Sequence, residues 1–417
     1  MELKRVVITG IGTINPLGNN VNDFFDNLIK GVSGAGLITY FDTTNFKTKF
    51  ACEVKNYNPA DYFDRKEVRK HDLYSQFGMI AADQAIEDAG ISKESADPFR
   101  IGVVWASGIG GIRTFFDEVK GFLEGGGIPR FSPFFVPKMI ADICAGYISI
   151  KHGFCGPNYA TVSACASSTH ALVESMNHIR RGRAIIMVAG GSESAINEAG
   201  VGGFNSMQAL SVNNDNYMTA SRPFDKTRDG FVIGEGAAGL ILEEYEHAKA
   251  RGAKIYAEVM GGGMSADAYH LTAPHPEGLG AASVMQTALD DSNLKTTDID
   301  YINVHGTSTP LGDVAELKAI QKVFGEHVSK LNISSTKSMT GHLLGAAGAL
   351  EALACICAIK NQIIPPTINF KIPDEEIDYE KLNLTLNKAQ ERKVDVTLSN
   401  TFGFGGHNAA IILKKLG

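Results

Sequence analysis

Short unbroken apolar runs recur along the chain, among them Ile101-Gly-Val-Val-Trp105, Ile185-Ile-Met-Val-Ala189, Gly239-Leu-Ile-Leu242 and Ala409-Ala-Ile-Ile-Leu413. They lack the alternation of a half-exposed strand, which predicts strands covered on both faces. Helix-period patterns lie between them. Glycines repeatedly fall where an apolar run ends, the punctuation of an α/β protein.

The pattern also repeats itself. A helical stretch over Met79–Gly90, a strand over Ile101–Ala106 and a Ser-Gly loop have a counterpart in Ala281–Ser292, a strand over Ile299–Val304 and a His-Gly loop. Each series continues with a strand, a turn of small residues and a long Ala-rich helix, over Tyr159–Asn177 in the first and Ile333–Ile359 in the second. The expectation is two copies of one α/β unit, halves 1–254 and 255–417, related by a pseudo-twofold axis. The turns that start the two central helices then meet, and a site there draws on both halves. No low-complexity linker separates the halves, so they pack tightly.

Composition narrows the function. The 417 residues are 44% hydrophobic, with 39 basic and 46 acidic side chains and a net charge of −7. A chain of this kind fills sizeable cores, and its mildly acidic balance offers no field for nucleic acid. No stretch approaches the ~18 uninterrupted apolar residues of a membrane helix, and Met1–Arg5 runs directly into Val6-Val7-Ile8, so a cytoplasmic protein is expected. Six cysteines without C-x-x-C pairing indicate neither a disulfide framework nor a zinc site, and no metal is expected.

Three segments carry candidate chemistry. Thr161-Val-Ser-Ala-Cys165-Ala-Ser-Ser-Thr-His170 sets a cysteine among small residues where a strand gives way to a helix. Free backbone N–H groups and the positive helix end favour thiolate there. The other five cysteines read as packed hydrophobes. His305, in Asn303-Val-His-Gly-Thr-Ser-Thr-Pro310, and His342, in Ser335-Thr-Lys-Ser-Met-Thr-Gly-His-Leu-Leu-Gly345, sit where glycine-flanked imidazoles can point N–H donors into a cavity. Lys337 adds a cation close to His342. His71, His152, His178, His247, His275 and His327 read as satisfied or exposed rings, with His270 undecided. Asn400-Thr-Phe-Gly-Phe-Gly-Gly-His-Asn408 offers a Gly-rich loop able to rearrange over a reactive centre. Gly10-Ile-Gly12 begins like a dinucleotide fingerprint, but Asn15 stands in place of the third small residue, so no nicotinamide site is expected.

Together these segments resemble the elongating β-ketoacyl-[acyl-carrier-protein] synthases, most closely the synthase II type of the Cys-His-His class in the thiolase superfamily. The resemblance spans the chain, through Ser132-Pro-Phe-Phe-Val-Pro137, the Cys165 segment, Gly200–Phe204, Ser221-Arg-Pro-Phe-Asp225 with Arg228–Phe231, both histidine motifs and Phe402–Gly406. It implies a five-layered αβαβα fold, a homodimer, and decarboxylative condensation with acyl carrier protein as partner. No cofactor is implied beyond the phosphopantetheine that arrives on the carrier. Cys165 is the implied nucleophile, His305 and His342 stabilise the enolate, and Lys337 tunes His342. The N–H groups of Cys165 and Phe402 form the implied oxyanion hole. Thr307 and Thr309 are implied to bind the phosphopantetheine arm, Phe402 to gate entry, Phe404 to line the malonyl side, and Ile109 and Phe204 to border the acyl tunnel. Lys66, Arg69 and Lys70 match the carrier-docking helix, a run that alone reads as a solvated face. At His407 the chain departs from the family's usual threonine. A polyketide or aryl-polyene ketosynthase with the same chemistry is the alternative. A thiolase would need a second cysteine in the C-terminal loop, and a silent partner subunit would lack Cys165.

Overall fold

The computed structural model describes residues 3–417. Ten strands share one sheet: β1 (Val6–Ile14), β2 (Ile101–Ala106), β3 (Asn158–Tyr159), β4 (Ile186–Glu193), β5 (Gly236–Glu244), β6 (Ala257–Ala266), β7 (Tyr301–Asn303), β8 (Asn332–Ser334), β9 (Val396–Gly403) and β10 (His407–Lys414). Their order is β8-β7-β9-β10-β6-β1-β5-β4-β2-β3. Outward from the centre, β1-β5-β4-β2-β3 in one direction is matched by β6-β10-β9-β7-β8 in the other. Strand directions repeat as well. The pairs β1/β5, β5/β4, β6/β10 and β10/β9 are antiparallel, while β4/β2, β2/β3, β9/β7 and β7/β8 are parallel. The two sets touch at a narrow antiparallel seam, Val7 opposite Glu258 and Ile8 opposite Ala257. The strand read as Ile299–Val304 is shorter than expected, Tyr301–Asn303.

Six helices cover these strands: α1 (Leu73–Ala89), α2 (Ile143–His152), α3 (Ser167–Arg180), α4 (Leu279–Ser292), α5 (Pro310–Phe324) and α6 (Ala347–Asn361). Three hydrophobic cores define where they lie. One packs α1 and α2 on the N-terminal strands, one packs α4 and α5 on the C-terminal strands, and the third joins α3 and α6 between the two sets. The result is five alternating layers. Within β5, Leu240 and Leu242 enter the central core while Ile241 faces the outer one, which is why the apolar runs do not alternate.

Local chemistry sets the helix ends. Asp72 caps α1 through the Tyr74 N–H, and Gly90 closes it in the left-handed region at φ 63°. The stretch Leu344–Asn361 matches a membrane span in length and hydropathy, yet 89% of it is buried inside the protein. It is apolar all round because α6 lies between two sheets. The first turns of α3 and α6 touch backbone to side chain. Ala349 N–H donates to Ser168 Oγ at 3.0 Å, and a Cβ on Gly348 would lie 2.0 Å from Thr169 Oγ1.

The Gly10 and Gly12 pair serves packing. A Cβ at Gly10 would lie 2.1 Å from Ala85 O, and one at Gly12 would lie 2.2 Å from Ala81 O, so these glycines let α1 rest directly on β1. Overpacking a tight interior costs ~1–3 kcal/mol. Gly12→Ala is therefore expected to lower the thermal unfolding midpoint. Gly121→Ala, in the helix Ile112–Glu124 with open space around it, is expected to leave stability unchanged or raise it by roughly 1 kcal/mol. Differential scanning calorimetry on both variants checks the contrast.

Candidate active site

Cys165 lies at the start of the central layer, one residue before Ala166, the N-cap of α3. The preceding Ala164 is held at φ 50°, a left-handed conformation unusual for alanine, which turns the cysteine away from the helix. Gly403 presses against this turn, and a Cβ there would lie 3.0 Å from Cys165 N. His305 follows β7, and its N–H and that of Gly306 both donate to Glu316, each at 2.8 Å. His342 comes from the opposite direction, after the short helix Lys337–Thr340. Its backbone is clamped by the other half of the chain: His342 N–H donates to Val232 O at 2.7 Å, and Gly234 N–H donates to His342 O at 2.9 Å.

These elements bring the three side chains to one point. His342 Nε2 is 3.0 Å from Cys165 Sγ, and one side-chain donor atom from each of Cys165, His305 and His342 can be chosen so that all lie within 4.8 Å of one another. The two imidazoles stand edge to face, centroids 5.2 Å apart at 86°. Phe231 packs edge-on against His342, and Phe402 lies against His305. A cavity of about 550 Å³ opens over the group. Its walls include Ile109, Phe204, Thr307, Thr309, Phe402 and Phe404. Thr307 and Thr309 share a hydroxyl contact of 3.0 Å.

Burial governs the electrostatics. It drives both imidazoles well below their ordinary value, and the Lys337 charge lowers them further, so both rings are neutral near pH 7. Burial also pushes the Cys165 thiol up to about 12, against the pull of Lys337 and a hydrogen bond from the Phe404 N–H. The resting state is thus a thiol beside neutral rings. Burial opposes the thiolate that the helix end favours. In the loop, Phe402 is paired in β9 opposite Asn408 with its ring on His305.

Several supporting groups escape sequence reading. Lys337 is buried in an ion pair with Glu351 of α6, whose carboxyl burial raises to about 7. Glu193, at the end of β4, accepts from Ser107 Oγ and from the N–H groups of Gly108, Ile109 and Gly345, joining a cavity wall to the His342 segment. The Ser221–Asp225 motif with Arg228 is a brace. Ser221 Oγ donates to Lys337 O, Arg228 donates to Thr309 O and Pro310 O, and Asp313 accepts from Phe224 N–H and Ser308 N–H. The signal for these groups is a lone carboxylate inside an apolar stretch, as in Ala349-Leu-Glu351-Ala-Leu353.

Lys66, Arg69 and Lys70 are not brought to the cavity. They lie exposed on the helix Arg65–Lys70, which Asp64 and Glu67 cap reciprocally. His275, read as an ordinary ring, lines the cavity, and Cys155, read as packed, is exposed.

The duplicated five-layer fold with a thiol and two imidazoles gathered between its halves matches two family models in succession. They are the N-terminal domain of β-ketoacyl synthase over residues 3–248 and its C-terminal domain over residues 256–371. The chain belongs to the β-ketoacyl synthase family. It is 47% identical to the 3-oxoacyl-[acyl-carrier-protein] synthase 2 of Coxiella burnetii over 417 residues, all of both chains. It is 47% identical to the Staphylococcus aureus protein of that name over 414 residues, 99% of this chain and 98% of that protein. Among solved structures, it is similar to a type II polyketide ketosynthase in complex with its acyl-carrier protein, at TM-score 0.92 and 34% identity with both chains fully covered. A β-ketoacyl synthase from Burkholderia phymatum matches at TM-score 0.90 and 36% identity, over 99% of this chain and 100% of that one.

A protonated resting thiol has a measurable consequence. Alkylation of Cys165 by iodoacetamide should accelerate about tenfold per pH unit from neutrality upward, with no plateau below pH 10. Lys337→Met removes the charge that favours thiolate and should slow alkylation at fixed pH. Mass-spectrometric rate measurements across pH check both statements.

Proposed function

We propose that the chain catalyses decarboxylative Claisen condensation of an acyl thioester with malonyl-acyl carrier protein, giving 3-oxoacyl-acyl carrier protein, carbon dioxide and free carrier protein in fatty-acid elongation. The observation that carries this reading is the 3.0 Å approach of His342 Nε2 to Cys165 Sγ beneath a cavity that His305 also enters. In the first half-reaction Cys165 gives its proton toward His342 and attacks the acyl thioester, and that proton leaves with the carrier's thiol. The N–H groups of Cys165 and Phe402 are the donors for the tetrahedral oxyanion. In the second, the neutral imidazoles donate to the malonyl thioester carbonyl, so the carbon–carbon bond to the carboxylate breaks to release carbon dioxide and an enolate. The enolate carbon bonds to the acyl carbon, and the Cys165 thiolate departs and is reprotonated. The dry setting favours this sequence, since a buried enolate has no water to protonate it early.

The phosphopantetheine arm of the carrier supplies the thioesters, with Thr307 and Thr309 as its contacts. Ile109 and Phe204 border the acyl chain, and no other cofactor enters. Lys66, Arg69 and Lys70 offer positive charge to an acidic carrier. Exposed Phe115, Ile128, Phe131 and Val136, with stacked rings between Phe115 and Phe135 and between Phe131 and Phe135, support a homodimer across this face. Six free cysteines suit a reducing, cytoplasmic setting. The polyketide alternative rests on structural neighbours at lower identity than the synthase 2 relatives.

Cys165→Ala should abolish acyl loading while leaving the fold intact, because a small side chain suits that turn. His305→Ala or His342→Ala should suppress carbon dioxide release from malonyl-carrier protein by about 100-fold or more, and loading far less. Radiolabelled loading and decarboxylation assays decide, and equal losses in both would refute the division of roles. Arg69→Glu with Lys70→Glu should raise KM for the carrier at unchanged kcat, read from steady-state kinetics with carrier-bound substrates.

A further inference from the structure

We propose that Cys165, His305 and His342 also form a binding site for a soft divalent cation of the Zn²⁺ class, three protein ligands with a coordination position open to the cavity. One sulfur and two imidazole nitrogens are the donor types zinc selects. A donor atom from each residue lies within 4.8 Å of the other two, and the shortest approach, Sγ to His342 Nε2, is 3.0 Å. Tetrahedral zinc with bonds of ~2.0–2.3 Å sets its donors roughly 3.3–3.6 Å apart, a difference small side-chain rotations supply. The thiol binds as thiolate, so one proton leaves for solvent as each ion binds.

The surroundings set the strength. Lys337 opposes a cation, but it is held in a buried pair with Glu351. His342 Nδ1, the ring nitrogen away from the sulfur, has no hydrogen-bond partner, so this imidazole is not tied as in rigid zinc sites. The site is therefore reversible, and its occupancy masks the thiol. The site is not legible in the sequence, because the ligands come from three distant segments with none of the close spacing of zinc motifs. The inference is independent of the condensation reading.

The test uses the full-length protein with Zn²⁺ in calorimetry and Co²⁺ as a visible-absorbing stand-in. One equivalent per chain should bind, with tetrahedral cobalt–thiolate bands that vanish in Cys165→Ala and with affinity at least tenfold weaker in His342→Ala. Apparent Kd should fall about tenfold per pH unit, as one released proton requires. In the unmodified protein Zn²⁺ should protect Cys165 from iodoacetamide, and a chelator should restore its reactivity. Binding that survives Cys165→Ala, an absence of saturable binding, or alkylation indifferent to Zn²⁺ would each overturn the proposal.

Discussion

The close approach of α3 and α6 is the constraint on which the molecule turns. Small residues at their first turns, Ser168, Thr169, Gly348 and Ala349, let two helices from opposite halves touch where side chains would otherwise hold them apart. Cys165 stands just before one helix and His342 just before the other. Helix packing thus brings their two segments together. The clamp of residues 232–234 on His342 and the reach of Glu193 to Gly345 add bonds between the halves at the same place. A rigid scaffold of this kind holds reacting groups to the tolerance that catalysis requires.

Dehydration is the second organising term. The site contains a lysine, three carboxylates and three reactive side chains, almost all withdrawn from water. Isolated charges there would be costly, so each acid is matched: Glu351 with Lys337, Glu316 with two N–H groups, Glu193 with four donors. The reactive groups are instead kept neutral. A thiol beside neutral imidazoles lets charge appear only as the reaction creates it, close to donors already in place.

Much of this was legible beforehand. The duplication showed in the matching order of helix, strand and glycine loop, because both halves bury their strands on two faces and leave the same apolar runs. Cys165, His305 and His342 stood out because small residues and glycines surround them at strand ends. The supporting acids did not, since a carboxylate such as Glu316 in Val314-Ala-Glu-Leu317 looks like any solvated helix position until its backbone partners are seen. For the sulfur, the helix end that favours its charge is visible in sequence and the burial that opposes it is not.

The position of β9 and β10 has a consequence for biosynthesis. Residues 396–414 are not an edge: they enter between β6 and β7, strands that leave the ribosome more than ninety residues earlier. Until they arrive, the C-terminal sheet is split down its middle and the cavity wall that carries Phe402 and Phe404 is missing. A nascent or clipped chain therefore has its nucleophile but no finished chamber, and it cannot squander malonyl groups before the polypeptide is whole.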